Sequence, residues 1–230
     1  MISPSSQAAV GVLLSGGLDS GILVGHLLSQ GVGVQPFYIR SGLHWEAAEL
    51  SAARKFLDAI ACDALQQLVV LALPLQDLYQ GHWSLTGRAV PDADSPDEAV
   101  YLPGRNALLI IKAALWCQLH GISRLALAPL GNNPFDDASC EFFDSLQTAL
   151  NHMGQQPIEI LRPFSDRSKH AVMQLGRDLP LALTFSCIAP RDGRHCGDCN
   201  KCAERQAAFR HAAIVDPTPY LHRSADESAA

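Results

Sequence analysis

The chain has 230 residues, of which 48% are hydrophobic and 17% charged, so it can bury the core of one large domain, or of one domain with a small appendage. Its formal charge of −6 argues against nucleic acid as the principal partner, because proteins that bind phosphate backbones usually carry excess basic residues. No apolar run approaches the roughly 20 residues of a membrane helix, and the first residues lack the pattern of a secretory signal. We therefore expect a cytoplasmic protein with small-molecule ligands.

Apolar runs alternate with amphipathic stretches in the first half of the chain. The predicted strands are AVGVLLS, VGVQPFYIR, LQQLVVLALP and SRLALAPLG, which begin at residues 9, 32, 65 and 123. The predicted helices are DSGILVGHLLSQG, HWEAAELSAARKFLDAIA and NALLIIKAALWCQLHGI, and Gly31 and Gly121 stop the first and third of them. This alternation predicts a Rossmann-like α/β fold, an open parallel sheet with helices on both faces.

The composition of the remaining segments suggests the domain organisation. Residues 1–185 are predicted to form the α/β domain, and residues 186–222 a small cysteine-rich subdomain with a C-terminal helix. Residues 223–230 are expected to be a frayed tail. Residues 80–104 contain several Pro, Gly and Asp residues and show little periodicity. A connection of this length is typical of a lid loop, and the alternative is a disordered surface insertion.

The stretch LLSGGLDS marks the turn from the first strand into the first helix, at the carboxyl edge where ligands of open α/β sheets bind. Its glycines let backbone N–H groups approach an anion, and the N-terminus of the following helix favours negative charge. Ser15 and Ser20 can add hydroxyl donors, while Asp19 can hold Mg²⁺ or cap the helix. The stretch matches neither the Walker A nor the dinucleotide-binding pattern. These features predict a phosphate-binding loop, with an ordinary glycine turn as the alternative.

Four cysteines are clustered in the C-terminal third: Cys187, Cys196, Cys199 and Cys202, with spacings of eight, two and two residues. Four thiolates can close a tetrahedral structural zinc site, and Gly197 suits the tight turn that such a site requires. Metal binding would also fold a segment that has few apolar residues of its own. An iron–sulfur cluster and unbound thiols are the alternatives.

Other candidate residues lie near predicted element ends. Arg105 can contact a phosphate or carboxylate, and Asn106 can cap its helix or bind a ligand; a solvated arginine beside a capping asparagine is the alternative. Lys169 can supply the positive charge that the glycine loop lacks, unless it is a surface lysine.

Polar residues also follow the second and fourth strands. His44, Glu46 and Glu49 can serve substrate or base contacts, although the two glutamates could equally lie on a solvent-exposed helix face. After the fourth strand, the candidates are Asp136, Asp137 and Cys140, where the cysteine could be a nucleophile or simply pack against neighbouring phenylalanines.

The motif Ser-Gly-Gly-x-Asp-Ser resembles the PP-loop of the ATP pyrophosphatase superfamily. This resemblance implies cleavage of ATP between the α and β phosphates and transfer of AMP to a substrate oxygen. The loop would then hold the departing pyrophosphate, which accounts for its lack of a lysine.

Four motifs occur in order: SGGLDS, YLPGRN, the Ser-x-Lys before a late helix, and the cysteine cluster. Together, over residues 8–222, they resemble the 7-cyano-7-deazaguanine synthases, the preQ0 synthases of queuosine biosynthesis (QueC or ExsB). The resemblance implies an adenine nucleotide alpha hydrolase-like fold, a homodimer, and two adenylation steps that turn 7-carboxy-7-deazaguanine and ammonia into the nitrile. It also implies ATP, Mg²⁺ and Zn²⁺ as cofactors.

The resemblance also assigns residues. It implies catalytic roles for Asp19, Ser20, Arg105 and Lys169, and zinc binding by Cys187, Cys196, Cys199 and Cys202. It implies ATP binding by Leu14, Ser15, Gly16, Gly17, Leu18, Asp19, Ser20, Gly21, Ile22, Leu23, Val24, Arg105 and Asn106.

Two segments at the expected ligand edge depart from the usual family pattern. The chain reads YIRSGLHWE where the family usually has Tyr-Gly-Gln-Arg-His, and NNPFDDASCEF where it usually has Ser-Gly-Tyr-Pro-Asp-Cys-Arg. Two alternatives therefore stand beside the synthase. One is a related PP-loop enzyme that adenylates a different carboxylate, amide or tRNA base, and the other is a zinc-containing binding module.

Overall fold

The computed structural model describes residues 9–131, 133, 135–154 and 156–222, so the predicted tail at 223–230 lies outside the described residues. The strands are β1 (Val10–Leu13), β2 (Val34–Arg40), β3 (Val69–Ala72), β4 (Arg124–Ala126) and β5 (Glu159–Leu161). The α-helices are α1 (Leu18–Ser29), α2 (Glu46–Ala59), α3 (Trp83–Thr86), α4 (Arg105–Leu119), α5 (Cys140–Met153), α6 (Lys169–Leu175) and α7 (Asn200–His211). Short 3₁₀ helices cover Asp97–Val100, Asp136–Ala138 and Leu181–Leu183.

The strands form one parallel sheet in the order β3-β2-β1-β4-β5. The chain moves outward from β1 to β2 and β3, and then crosses back to the other side of β1 with β4 and β5. The strand order therefore reverses between β1 and β4, where Gly11 is aligned with Leu125. In open α/β sheets, ligands bind outside the carboxyl ends of the strands at such a switch point. The predicted parallel sheet is confirmed.

Each face of the sheet is covered by helices because successive strand side chains point to opposite faces. On one face, Val10 and Val12 pack with buried residues of α1, α2, α6 and α7, such as Ile22. On the other, Phe37 and Leu125 pack with buried residues of α4 and α5. The apolar runs predicted as strands are thus buried on both sides, as is usual in parallel sheets.

The structure confirms the predicted strands and helices, and it also contains elements that were not predicted, among them α3, α5 and β5. Gly31 and Gly121 have φ values of +75° and +74°, and each lies just beyond the end of its helix, as expected of stop signals. Across the described residues, no helix is both long and apolar enough to cross a membrane.

The segment 80–104 is packed against the cysteine-rich subdomain and is not a disordered insertion. The backbone N–H of Ala93 donates to the Asp198 carbonyl at 2.9 Å, and that of Asn200 donates to the Pro91 carbonyl at 3.0 Å. A third apolar cluster, which includes Trp45, also contains the cysteines and side chains from this segment. The role of the segment as a lid stays a prediction.

Candidate active site

The glycine loop connects β1 to α1 beside the switch point. Gly16 has φ +78°, a conformation that side-chain-bearing residues rarely adopt. A Cβ at Gly16 would also lie 2.9 Å from the backbone oxygen of Glu49, so the loop passes directly over the start of α2. The Ser20 hydroxyl accepts a hydrogen bond from the Ser15 N–H at 3.1 Å and lies 3.0 Å from the Ser15 hydroxyl. Hydrogen bonding between the two predicted serines therefore stabilises the conformation of the loop.

The N-terminus of α1 has no side-chain cap. Gly17 occupies the N-cap position, and Asp19 lies in the first turn without capping the helix. The predicted cap by Asp19 is therefore wrong. The first N–H groups of the helix are left without a side-chain acceptor, which suits an incoming anion.

Lys169, at the start of α6, is brought to the glycine loop from 150 residues away in sequence. Its Nζ lies 2.8 Å from both carboxylate oxygens of Asp19. The two side chains are only 23% and 28% exposed, so this ion pair is not the surface interaction that the alternative assumed. The loop therefore has a lysine, but the lysine comes from another element.

Two cavities of about 240 and 250 Å³ meet at the loop. Both are lined by Ser15, Asp19, Ser20, Glu49 and Arg105.

The strand-edge cavity lies beyond β1, β2 and β4 and combines apolar side chains with polar groups. Its distinguishing lining residues are Leu13, Leu14, Phe37, Tyr38, Ile39, Asn106, Leu109, Ile110, Leu127, Ala128, Pro129, Asn133 and Phe143. The cysteine-side cavity combines aromatic rings with charged groups. Its distinguishing lining residues are Gly17, Leu18, Trp45, Trp83, Val100, Leu102, Lys169, Phe185, Ser186, Ile188, Lys201, Glu204 and Arg205.

Tyr38, Glu49 and Arg105 form a buried polar cluster at the junction. The Tyr38 hydroxyl donates to Glu49 Oε2 at 2.6 Å. Burial raises the pKa of the Glu49 carboxyl to about 7, although Arg105 and the hydrogen bond from Tyr38 act in the opposite direction. Burial, followed by the charge of Glu49, raises the pKa of Tyr38. The Nε of Arg105 is buried and has no hydrogen-bond partner within the described chain, which leaves it available to a ligand.

The other predicted site residues are only partly brought together. Residues 14, 15 and 17–20 line the cavities, whereas Gly16 supports the loop and residues 21–24 are buried in α1. Asn106 lines the strand-edge cavity, and its amide donates to the backbone and side chain of Asp137 at 3.0 and 3.1 Å. Gly104 is the N-cap of α4, so the predicted cap by Asn106 is wrong.

Of the three candidates predicted after β2, only Glu49 lines the two cavities. The Glu46 carboxylate accepts hydrogen bonds from Arg40 Nε at 2.9 Å and from the Gly42 N–H at 2.7 Å. His44 borders a separate cleft beside Gly87. Among the candidates after β4, Asp136, Asp137 and Cys140 line neither cavity.

The sequence analysis missed the wall of the cysteine-side cavity. Trp45, Trp83 and Phe185 come from three separate segments, so no local pattern joins them. Lys201 and Glu204 are close in sequence to Cys202, and this proximity was the sequence feature that could have indicated a place near the site.

The four clustered cysteines are buried, and their sulfurs all lie within 4.8 Å of one another. The shortest separations are 3.4 Å between Cys187 and Cys196, and 3.9 Å from Cys196 to Cys202 and from Cys187 to Cys199. A tetrahedron with metal–sulfur bonds of about 2.3 Å has edges of about 3.8 Å, so these thiols could hold one metal ion. Gly197 has φ +97°, and a side chain there would collide with the His222 carbonyl.

The cysteine cluster is tied to the glycine loop by the chain that precedes Cys187. The Phe185 N–H donates to the Gly16 carbonyl at 2.7 Å, and the next residue's N–H donates to His195 Nε2 at 3.2 Å. Burial, together with the charge of Arg205, lowers the pKa of His195 to about 3, so its ring is neutral and can accept this hydrogen bond.

Arg205, on α7, is 1% exposed and joins three segments around the cysteine-side cavity. Its guanidinium donates to Thr218 Oγ1 at 2.7 Å, Thr184 Oγ1 at 2.8 Å, Ser186 Oγ at 3.3 Å and the Leu181 carbonyl at 2.8 Å. It thereby holds the wall formed by residues 184–186 against the helix that follows the cysteines.

A doubly wound parallel sheet with a glycine loop at its switch point defines an α/β protein of the Rossmann-like class. The family model described as "Queuosine biosynthesis protein QueC" matches residues 8–213. The chain belongs to this family.

Curated relatives match the chain along its length. A 7-cyano-7-deazaguanine synthase from Koribacter versatilis is 31% identical over 229 residues, which is 93% of this chain and 94% of that protein. One from Acidobacterium capsulatum is 28% identical over 96% of this chain and all of that protein. A solved structure of a 4-thiouridine synthetase–RNA complex with bound ATP has a similar fold, with a TM-score of 0.50 and 15% identity over 90% of this chain and 50% of that one.

Proposed function

We propose that the protein is an ATP-dependent ligase of queuosine biosynthesis. It converts 7-carboxy-7-deazaguanine and ammonia into 7-cyano-7-deazaguanine, with release of AMP and pyrophosphate. The observation that carries the proposal is the match to the QueC family over residues 8–213, together with relatives named as synthases that cover nearly the whole chain. The glycine loop and the two cavities that meet at it support the same reaction, because it must bring a nucleotide and an acceptor together.

The cavities suggest a division of the two substrates. We assign the phosphates of ATP to the glycine loop and its adenosine part to the strand-edge cavity, where partly exposed side chains such as Leu13 and Ile39 provide an apolar surface. The planar acceptor is assigned to the cysteine-side cavity, where Trp45, Trp83 and Phe185 can pack against a heterocycle. The rings of Trp45 and Trp83 are themselves stacked, with centroids 5.7 Å apart.

The chemistry requires positioning and charge neutralisation more than it requires a nucleophilic side chain. A carboxylate oxygen of the acceptor attacks the α-phosphorus, and pyrophosphate leaves into the glycine loop. Ammonia then attacks the acyl carbon, and AMP leaves with that oxygen, giving the amide. In a second round the amide oxygen is adenylated, and loss of AMP and protons gives the nitrile.

Charged side chains at the junction suit these steps. Arg105 lines both cavities and has a free buried Nε, so it can contact the acceptor carboxylate or the α-phosphate. Two N–H groups of Lys169 point to Asp19, which leaves a third for a phosphate oxygen. Ser15 and Ser20 can donate to the pyrophosphate as it leaves.

Two metal ions belong to the proposal. Mg²⁺ would enter with the nucleotide, and Asp19 is the loop carboxylate with lone pairs left to contact it. Zn²⁺ would be held by Cys187, Cys196, Cys199 and Cys202, because four buried sulfurs at these separations match a closed tetrahedral site. When bound, the zinc ion would stabilise the fold of the subdomain and leave no open position for catalysis.

The direct test is incubation of the purified protein with 7-carboxy-7-deazaguanine, ammonium and Mg-ATP, followed by mass spectrometry. The proposal predicts the nitrile, together with AMP and pyrophosphate. If the protein binds ATP but forms neither amide nor nitrile, and releases AMP only with another acceptor, the related-enzyme alternative holds. If no acceptor releases AMP, the protein is a binding module.

The predicted homodimer and cytoplasmic location stay proposals as well. Sedimentation equilibrium tests the first: a mass of about twice the 24.7 kDa chain is expected, and a monomer at all concentrations contradicts it.

A further inference from the structure

Glu49 is a buried carboxyl group that lies where the two cavities meet. It occupies the first turn of α2 and lines both the strand-edge and the cysteine-side cavity. The glycine loop crosses over it closely, because a Cβ at Gly16 would be 3.1 Å from Glu49 Cγ. Its side chain is therefore next to the place where acceptor, nucleotide and ammonia must come together.

The other carboxylates near the loop are already engaged. Asp19 accepts from Lys169 with both of its oxygens, and Glu204 pairs with Lys201 at 2.6 Å. Glu46 accepts hydrogen bonds from Arg40 and from a backbone N–H, and it lines neither of the two cavities. Glu49 accepts hydrogen bonds from the Tyr38 hydroxyl, at 2.6 Å, and from the Trp45 side chain, and it forms no ion pair within 4 Å in the described part of the chain.

The groups that face Glu49 set its proton affinity. Burial opposes ionisation of the carboxyl most strongly, and Glu46 on the same helix opposes it as well. Arg105 on α4, Tyr38 on β2 and the side chain of Trp45 favour the ionised carboxylate. The pKa of Glu49 is about 7 as a result, so the group can both take and release a proton near neutral pH. Asp19 and Lys169 lie farther along the same cavity wall and neutralise each other.

Formation of the amide releases protons at this junction. Ammonia is mostly ammonium at neutral pH, so one proton must be removed before its nitrogen can attack. When the nitrogen bonds to the acyl carbon and AMP leaves, a further proton comes off the new amide nitrogen. An acceptor placed beside the acyl carbon can take such a proton as the new bond forms.

We propose that Glu49 is the proton acceptor of the amide-forming step, an inference that rests on the proposed function. The ionised carboxylate takes one proton from the incoming nitrogen as the nitrogen–carbon bond forms and the carbon–oxygen bond to AMP breaks. The proton then passes to solvent as AMP departs. The adenylation step needs no such acceptor, because the acceptor carboxylate is already ionised.

The experiment separates the two steps. Adenylation is measured as exchange of labelled pyrophosphate into ATP with 7-carboxy-7-deazaguanine and without ammonia, and amide formation as ammonia-dependent product in a single turnover. Glu49→Gln is expected to keep pyrophosphate exchange within about threefold of the unaltered protein and to slow amide formation by about 10²–10⁴-fold. Glu46→Gln, on the same helix, is the matched control and should leave both rates within about threefold.

Two further measurements distinguish proton transfer from a structural role. Hydroxylamine, a stronger nucleophile whose attack depends less on proton removal by a base, should partly restore product formation in Glu49→Gln. Tyr38→Phe removes a hydrogen bond that lowers the pKa of Glu49, so this pKa should rise. The acidic limb of the plot of amidation rate against pH should therefore move to higher pH.

Loss of pyrophosphate exchange and amidation in equal measure, or unchanged amidation in Glu49→Gln, would overturn the inference. An acidic limb that stays in place in Tyr38→Phe would count against it too. If the unaltered protein shows no pyrophosphate exchange that depends on 7-carboxy-7-deazaguanine, the proposed function itself fails, and this inference fails with it.

Discussion

Replacing Arg205 by lysine tests how the cysteine-rich subdomain is joined to the glycine-loop domain. The arginine is almost fully buried and donates to Thr218, Thr184, Ser186 and the Leu181 carbonyl. These acceptors lie on different sides of a planar guanidinium. A lysine carries its three donors on a single nitrogen and cannot reach all of them from the same position.

The size of the effect follows from the hydrogen bonds that are lost. We expect lysine to lose at least two of them, each worth about 1.5–3 kcal/mol because the donor is charged, so the free energy of unfolding should fall by about 3–6 kcal/mol. The charge itself is kept, which separates geometry from electrostatics. Arg210 lies exposed on the same helix, and Arg210→Lys should change stability by less than about 0.5 kcal/mol.

The assay is urea unfolding followed by tryptophan fluorescence, with metal content measured for each variant. Trp45 and Trp83 line the cysteine-side cavity and report its loss directly. If Arg205→Lys unfolds within about 1 kcal/mol of the unaltered protein with the same metal content, the guanidinium does not hold the subdomain in the way described here.

Three other changes test the site. Lys169→Ala should slow AMP release by about 10²–10³-fold, because the substitution removes a charged donor from the phosphates. Lys112 is exposed, and Lys112→Ala should leave the rate of AMP release unchanged. Cys199→Ser should lose its metal and lower Tm by more than about 4–8 °C, the shift for about 2 kcal/mol; exposed Cys62→Ser should do neither. Gly16→Ala should weaken ATP binding in titration calorimetry, because its φ of +78° and the Glu49 backbone oxygen exclude a methyl group; unchanged affinity contradicts this.

The strands that could be predicted are those whose apolar runs are long enough to show burial on both faces, such as β1 and β2. β5 has three residues and stands at the sheet edge, so its short apolar run carries almost no periodic signal. α5 is different, because Phe143, Leu146 and Leu150 repeat at helical spacing and pack into the core. Within this segment only Cys140 was interpreted, as a nucleophile or as a residue packed against neighbouring phenylalanines, so the helix was not predicted.

The candidate site was predictable where one local motif carries the chemistry. The glycine loop and the four cysteines are such motifs, whereas the pair of Lys169 with Asp19 joins residues 150 positions apart. Glu49 was a candidate together with His44 and Glu46, and the local sequence of this short segment does not show which of the three lines a site. Only the three-dimensional path of the glycine loop distinguishes Glu49 from the other two.

The central claim is that the adenylyl group of ATP moves onto an oxygen of the acceptor acid. The most direct measurement uses 7-carboxy-7-deazaguanine with oxygen-18 in its carboxylate, and mass spectrometry of the nucleotide products. The account predicts AMP that carries one labelled oxygen, together with unlabelled pyrophosphate. Formation of ADP and labelled phosphate, or AMP without the label in the presence of nitrile product, would contradict it.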